Sequence, residues 1–253
     1  MHSVTVGHAY APDMRSKRNG MTIVLMLLLS IVSTSSWFYS KSETSQLFGT
    51  IISEVDTKSK KIALTFDDGP TRGKTDALLN ILDASNVKAT FFLTGNEIEK
   101  NFDEAVKIVK SGHDVANHSY SHKRMVFRSI EFVSNEIKKT NELIRETGFS
   151  KEIYFRPPYG RKLFNLPRYL EKEDIKTIMW NVAPDSDLPL SASVEELVEH
   201  ALENTKPGSI ILMHTMYDSR KNSLNSISRI ISELKEIGYE FVTISQLLQE
   251  PGA

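Results

Sequence analysis

The chain has 253 residues, enough for one sizeable core, and its 40% hydrophobic and 25% charged residues suit a globular protein rather than a fibre or a disordered segment. Its 31 basic and 32 acidic residues nearly cancel, and no long basic stripe runs along it, so nucleic acid is not an expected partner. The absence of cysteine excludes disulfides, thiolate ligands and cysteine nucleophiles together, so any metal must be held by His and carboxylate.

Residues 1–20 form a basic flank that includes Arg15, Lys17 and Arg18. The mostly apolar run after it, residues 21–39, is about long enough to cross a bilayer. Basic residues ahead of such a run favour a cytoplasmic flank, which places everything after Tyr39 outside the membrane. The run reads as a retained signal-anchor or as a cleaved signal peptide. Ser33-Thr34-Ser35-Ser36 fits the small-residue region of the latter, although no Ala-x-Ala site follows. The domain is therefore expected to be extracytoplasmic, either anchored through this segment or secreted after its cleavage.

Residues 40–59 are mixed and polar and read as a spacer, and residues 60–250 as one domain. Short apolar or β-rich runs at Lys61 to Phe66, Lys88 to Thr94, Ile153 to Phe155, Ile175 to Val182, Ser209 to Met213 and Phe241 to Ile244 alternate with segments of helical period. That alternation predicts an α/β fold with a mainly parallel sheet. Ile130, Val133, Ile137, Leu143 and Ile144 lie near one helical face, and Ser193 with Glu196 forms a capping-box signature. Gly148, Gly208 and Gly238 stand where helices should stop.

In such folds chemistry gathers at the carboxyl ends of the strands. Asp67 and Asp68 close the first run, Arg156 closes the run ending at Phe155, and His214 closes the run ending at Met213. Paired carboxylates at a strand end cost solvation free energy, although Asp-Gly-Pro is also an ordinary turn. His118 and His122 are spaced i, i+4. On a helix or helical turn that spacing puts both rings on one face, able to grip a divalent ion with a carboxylate from another strand end. Three protein ligands without a thiolate match a catalytic site with an open position, where bound water has a pKa of about 7 and one aspartate of the pair can serve as base. Arg156-Pro157-Pro158-Tyr159-Gly160 offers a cation for a carboxylate and a stiff backbone able to aim an amide at an oxyanion, or else simply a rigid loop. His214 is a candidate general acid, a buried structural His being the alternative, and His113 reads as structural.

From about Lys60 to Leu248 the chain resembles the NodB-homology domain of the family 4 carbohydrate esterases, the polysaccharide deacetylases. Thr65-Phe66-Asp67-Asp68-Gly69-Pro70 is similar to the family's first motif, His118 to His122 to its second, Arg156 to Gly160 to its third and Leu212-Met213-His214 to its fifth, in that order. The resemblance implies a distorted (β/α) barrel with fewer than eight strands. It also implies a divalent metal, usually zinc, with cobalt or another ion as a substitute, held by Asp68, His118 and His122. It makes Asp67 the base, Arg156 its orienting partner, and the Tyr159 amide an oxyanion donor beside Pro157. Leu212 becomes part of the acetyl-methyl pocket and His214 the acid.

The fourth motif departs from the pattern. Ala183 stands where the family carries its first acidic residue, and no Trp follows; a shifted loop would let Asp185 or Asp187 substitute. The expected activity is removal of N-acetyl groups from an N-acetylated polysaccharide, with peptidoglycan N-acetylglucosamine favoured because the topology puts the domain outside the membrane. Two alternatives remain: an O-acetyl esterase of the xylan type, and a glycan-binding pseudoenzyme.

Overall fold

The computed structural model describes residues 14–251 and divides the chain into two compact units, one ending at Tyr39 and one beginning at Ser40. Most of the basic flank, residues 1–13, lies outside the described residues. The described part of the first unit is one helix, α1 (Met14–Tyr39). Over Thr22–Tyr39 its mean hydropathy is 1.7, and its apolar side chains from Ile23 to Val32 are each more than half exposed. It has length and composition enough to cross a membrane.

The second unit begins with β1 (Ile51–Ile52), β2 (Lys61–Asp67), α2 (Lys74–Ala84), β3 (Thr90–Leu93), α3 (Gly95–Lys100), α4 (Phe102–Lys110), β4 (Asp114–Asn117) and α5 (Ile130–Glu146). It continues with α6 (Asn165–Lys172), β5 (Thr177–Ile178), α7 (Pro184–Asp187), α8 (Val194–Asn204), β6 (Ile210–His214), α9 (Lys221–Glu236), β7 (Glu240–Val242) and α10 (Ile244–Leu247). All strand pairs are parallel, in the order β4-β3-β2-β6, with β7 beside the first half of β2 and β5 paired to β1. Single bridges, Asn117 to Phe155, Phe155 to Thr177 and Val182 to Ile211, carry the pairing from β4 through β5 back to β6. The sheet thus closes into a barrel whose second half is held by isolated bridges, which is the expected distorted α/β barrel.

Two expected strands are shorter than read. Ile153 to Phe155 keeps one bridging residue because Pro157 and Pro158, just past Arg156, have no N–H to extend a ladder. Ile175 to Val182 reduces to β5 and a bridge at Val182, with Pro184 ending it. Residues 40–59, read as a spacer, contribute β1 and the buried Val55. The α8 capping box forms as read, with Ser193 and Glu196 bonding each other's backbone N–H.

The period of two along the strands divides the interior. Ile62, Leu64 and Phe66 of β2, with Ile211 and Met213 of β6, face the surrounding helices and join the main core. Ala63, Ile210, Phe92 and Ala116 point inward and fill the barrel with Val242, Ile244 and Leu247. Alternation therefore sends Thr65 and Asp67, and across the ladder Leu212 and His214, to the inward face at the carboxyl end. The opposite mouth is closed by α10: Ile244 N–H donates to Thr90 Oγ1 at 2.9 Å and Ser245 N–H to Asp114 Oδ2 at 3.0 Å, both acceptors being the first residues of their strands.

Candidate metal centre and active site

Asp67 ends β2 and His214 ends β6, and the two are direct partners in the ladder. Asp68 leaves the strand at φ 74°, outside the conformations side chains favour, which turns its carboxylate toward the second histidine. Asp68 Oδ1 is buried, lies 3.3 Å from His122 Nε2 and has no hydrogen-bond partner among the described residues.

His118 and His122 do not lie on a helix, and this corrects the sequence expectation. They flank a loop that leaves β4, and left-handed backbone at Ser119 and His122, φ 65° and 55°, brings the rings to 5.0 Å between centroids. His118 Nδ1 sits 2.8 Å from the Arg156 carbonyl oxygen. A carbonyl only accepts, so Nδ1 carries a hydrogen, and it is the tautomer with Nε2 free that could ligate a metal. Burial and the neighbouring His118 hold His122 below its ordinary pKa, which favours the neutral, ligating form. One ligand atom from each of Asp68, His118 and His122 falls within 4.8 Å of the others. An orphaned buried carboxylate oxygen beside two imidazole nitrogens suits a divalent cation, and the oxygen-nitrogen-nitrogen set suits zinc chemistry.

Arg156 is wholly buried, and its donors are directed to fixed acceptors. Nη1 donates to Asp67 Oδ1 at 2.6 Å and Thr65 Oγ1 at 2.9 Å, Nε to Ile178 O at 3.1 Å and Nη2 to Met179 O at 2.9 Å. The guanidinium also stacks 3.9 Å from the Phe92 ring centroid. Burial alone would raise the Asp67 pKa; Arg156, with His118 and His214, outweighs it and holds the carboxyl below its ordinary value. On the other side, Asp185 accepts from the His214 N–H at 2.7 Å and lies 3.1 Å from its Nδ1. Burial pulls the imidazole down, and Asp185, Asp67 and Asp68 more than reverse it, so His214 titrates above its ordinary range. Of the two aspartates read as substitutes in the fourth motif, Asp185 is buried against His214 while Asp187 lies 3.5 Å from His200.

Tyr159 sits at φ 59° with its side chain half exposed, 4.8 Å from the His122 ring. The tight turn from Pro157 uses the N–H groups of Gly160 and Arg161, not that of Tyr159. Leu212 is buried, pairs with Thr65 in the ladder and stands apart from the hydrophobic clusters. His113 is buried, accepts the Ala89 N–H at Nδ1 over 3.1 Å and is pushed down to about 4 by burial, as a structural histidine should be.

Several neighbours of these groups carry no role assigned from the sequence. Thr65 had a usable signal, since it precedes Asp67 by one strand period. Phe92 and Tyr217 had none, because their neighbours come from other elements. Tyr217 is pushed up to about 12 by burial and by Asp68, Glu97 and Tyr159 around it. A groove of about 760 Å³ between α5 and α6, lined by Glu131, Lys138, Arg168 and Glu173 among others, involves none of these residues.

Parallel barrel, strand-end carboxylates and an Asp-His-His cluster together define a class of metal-assisted hydrolases. Residues 54–181 match the polysaccharide deacetylase family model, and the chain belongs to that family. It is 31% identical over 201 residues to a peptidoglycan-N-acetylglucosamine deacetylase of Bacillus cereus, covering 79% of this chain and 94% of that protein. A solved peptidoglycan N-acetylglucosamine deacetylase in complex with 4-naphthalen-1-yl-N-oxidanyl-benzamide superposes with a TM-score of 0.74 at 31% identity, over 79% and 93% of the two chains. A family 4 carbohydrate esterase pseudoenzyme from Bacillus anthracis is also similar, at 29% identity, TM-score 0.71 and 79% and 69% coverage.

Proposed function

We propose that the domain from Ser40 onward is a zinc-dependent deacetylase that removes N-acetyl groups from N-acetylglucosamine residues of peptidoglycan outside the membrane. The observation that carries this reading is the convergence, at one barrel rim, of the Asp68-His118-His122 cluster with two oppositely tuned pairs, Asp67 with Arg156 and His214 with Asp185.

Asp68, His118 and His122 would hold the metal, which when bound would lower the pKa of water and polarise a carbonyl. Asp67, kept ionised by Arg156, takes the proton from the attacking water. The water oxygen adds to the acetamide carbon, and the Tyr159 amide donates to the oxygen that becomes negative. His214 then gives its Nε2 proton to the nitrogen as the C–N bond breaks, and acetate and a free amine leave. Leu212, one inward position below His214, walls the space for the acetyl methyl group. Asp185 supplies the acidic support that Ala183 lacks, which favours turnover over a binding-only role.

The Ser40 domain loaded with zinc is expected to release acetate from N-acetylglucosamine oligomers and peptidoglycan, and to do so poorly from acetylated xylan. Asp67→Asn should lower kcat/KM by roughly 10²- to 10⁴-fold with zinc still bound. Faster turnover of the ester would make it an esterase, and zinc binding without acetate release a pseudoenzyme. Either result sinks the proposal.

A further inference from the structure

The loop that carries the two histidines has no regular hydrogen-bond ladder, yet each backbone N–H from His118 to His122 has an acceptor. His118 N–H donates to Leu93 O at 2.9 Å, Ser119 N–H to Asn117 Oδ1 at 2.7 Å and His122 N–H to Ser119 Oγ at 3.1 Å. The two central groups go to one side chain. Tyr120 N–H and Ser121 N–H both donate to Glu136 Oε2, at 3.0 and 2.8 Å, and Ser121 Oγ donates to Oε1 at 2.8 Å. On the loop's other edge the Ser119 and Tyr120 carbonyls accept from Gly95 and Asn96, each at 3.0 Å. A Cβ on Gly95 would lie 2.5 Å from the Tyr120 ring and 2.6 Å from Thr140 Oγ1, so the fit is close.

Glu136 lies in mid α5, is 8% exposed, and takes no part in the proposed acid-base steps. A buried carboxylate is expensive unless its oxygens are well supplied with donors, and here the donors come from the metal-binding loop itself. The loop holds left-handed backbone at both Ser119 and His122, conformations that persist only when the surroundings enforce them. We infer that Glu136 is a positioning residue for the metal. Its carboxylate clamps the apex of the 118–122 loop, fixing the backbone that aims His118 and His122 at a common point before any ion arrives.

This inference rests on the reading of Asp68, His118 and His122 as metal ligands, and the two can fail separately. Zinc affinity is measured on the folded domain by competition with a chromogenic chelator, alongside the unfolding temperature of the metal-free protein. Glu136→Ala should weaken zinc by about 10- to 100-fold, the range typical for groups that orient ligands. Glu136→Gln, which keeps one oxygen for the two N–H groups, should restore affinity to within a few-fold of wild type. Should Glu136→Ala fail to fold, Glu136→Asp serves in its place: it keeps the charge but withdraws it by one methylene, and should also bind zinc more weakly. Zinc affinity equal to wild type in the folded Ala or Asp variant, even with a lowered unfolding temperature, would reduce Glu136 to a structural residue and overturn the inference. Wild-type protein that binds no zinc would overturn the metal reading and this inference with it.

Discussion

At the residue scale the centre depends on two carboxylate pairs whose environments push proton affinities apart. Asp67 is buried yet kept acidic by a guanidinium with no freedom to leave: every Arg156 hydrogen bond goes to a β2 side chain or a backbone carbonyl. His214 is held above its ordinary value by Asp185, against the pull of burial. In the proposed role of acid His214 works while protonated, so activity should fall as pH rises through its pKa. Asp185→Asn removes the strongest of the partners that raise it and leaves burial opposed only by Asp67 and Asp68, so the alkaline limb of the kcat/KM profile should move to lower pH. At neutral pH the rate should drop, by roughly 10²-fold if the acid step is lost. An unmoved limb would show that Asp185 does not set the titration of His214.

At the element scale the barrel is organised by strand alternation and by a few backbone positions that only glycine fills. Gly208 leads into β6 at φ 81°, where a Cβ would lie 1.8 Å from the Val55 carbonyl oxygen. Val55 N–H donates to Gly208 O at 2.9 Å, so the contact cannot open without breaking that bond. Gly208→Ala is expected to lower the unfolding free energy by at least about 2 kcal/mol, measured by urea titration. It should also displace His214, four residues beyond the start of the same strand. The signal visible in the sequence placed Gly208 as a helix stop; its tighter constraint is the passage of residues 40–59 beside it.

At the scale of the whole molecule, the boundary after Tyr39 matters more than the one read near residue 60. Val55 is buried, β1 pairs with β5, and the buried Lys162 amine, pushed down to about 8, donates to the Ser42 carbonyl. Lys162 N–H also donates to Ser40 O at 3.0 Å. A chain beginning at Ser40 should therefore fold with full stability. One beginning at Lys60 should lose about 2 kcal/mol or more, from Val55 burial and the β1 bonds, in the same urea titration. Equal stability of the two would return residues 40–59 to the role of a spacer.

Whatever depends on local chemistry was legible in the residues alone. Alternating strand and helix periods determined a parallel α/β fold, Ser193 and Glu196 the start of α8, and the strand-end positions of Asp67, Arg156 and His214 the rim where they meet. Those features depend on residues a few positions apart. Tertiary structure decided whatever needed partners distant in the chain. Prolines after Phe155 cut a strand to one bridge, and the histidine pair lies on a strained loop rather than a helix because α3 and α5 satisfy its backbone from both sides. Asp185 rather than Asp187 reached His214, and Glu136, with no motif of its own, became the group that holds the loop. Spacing can put two imidazoles near each other, but where their nitrogens point depends on hydrogen bonds from elements elsewhere in the chain.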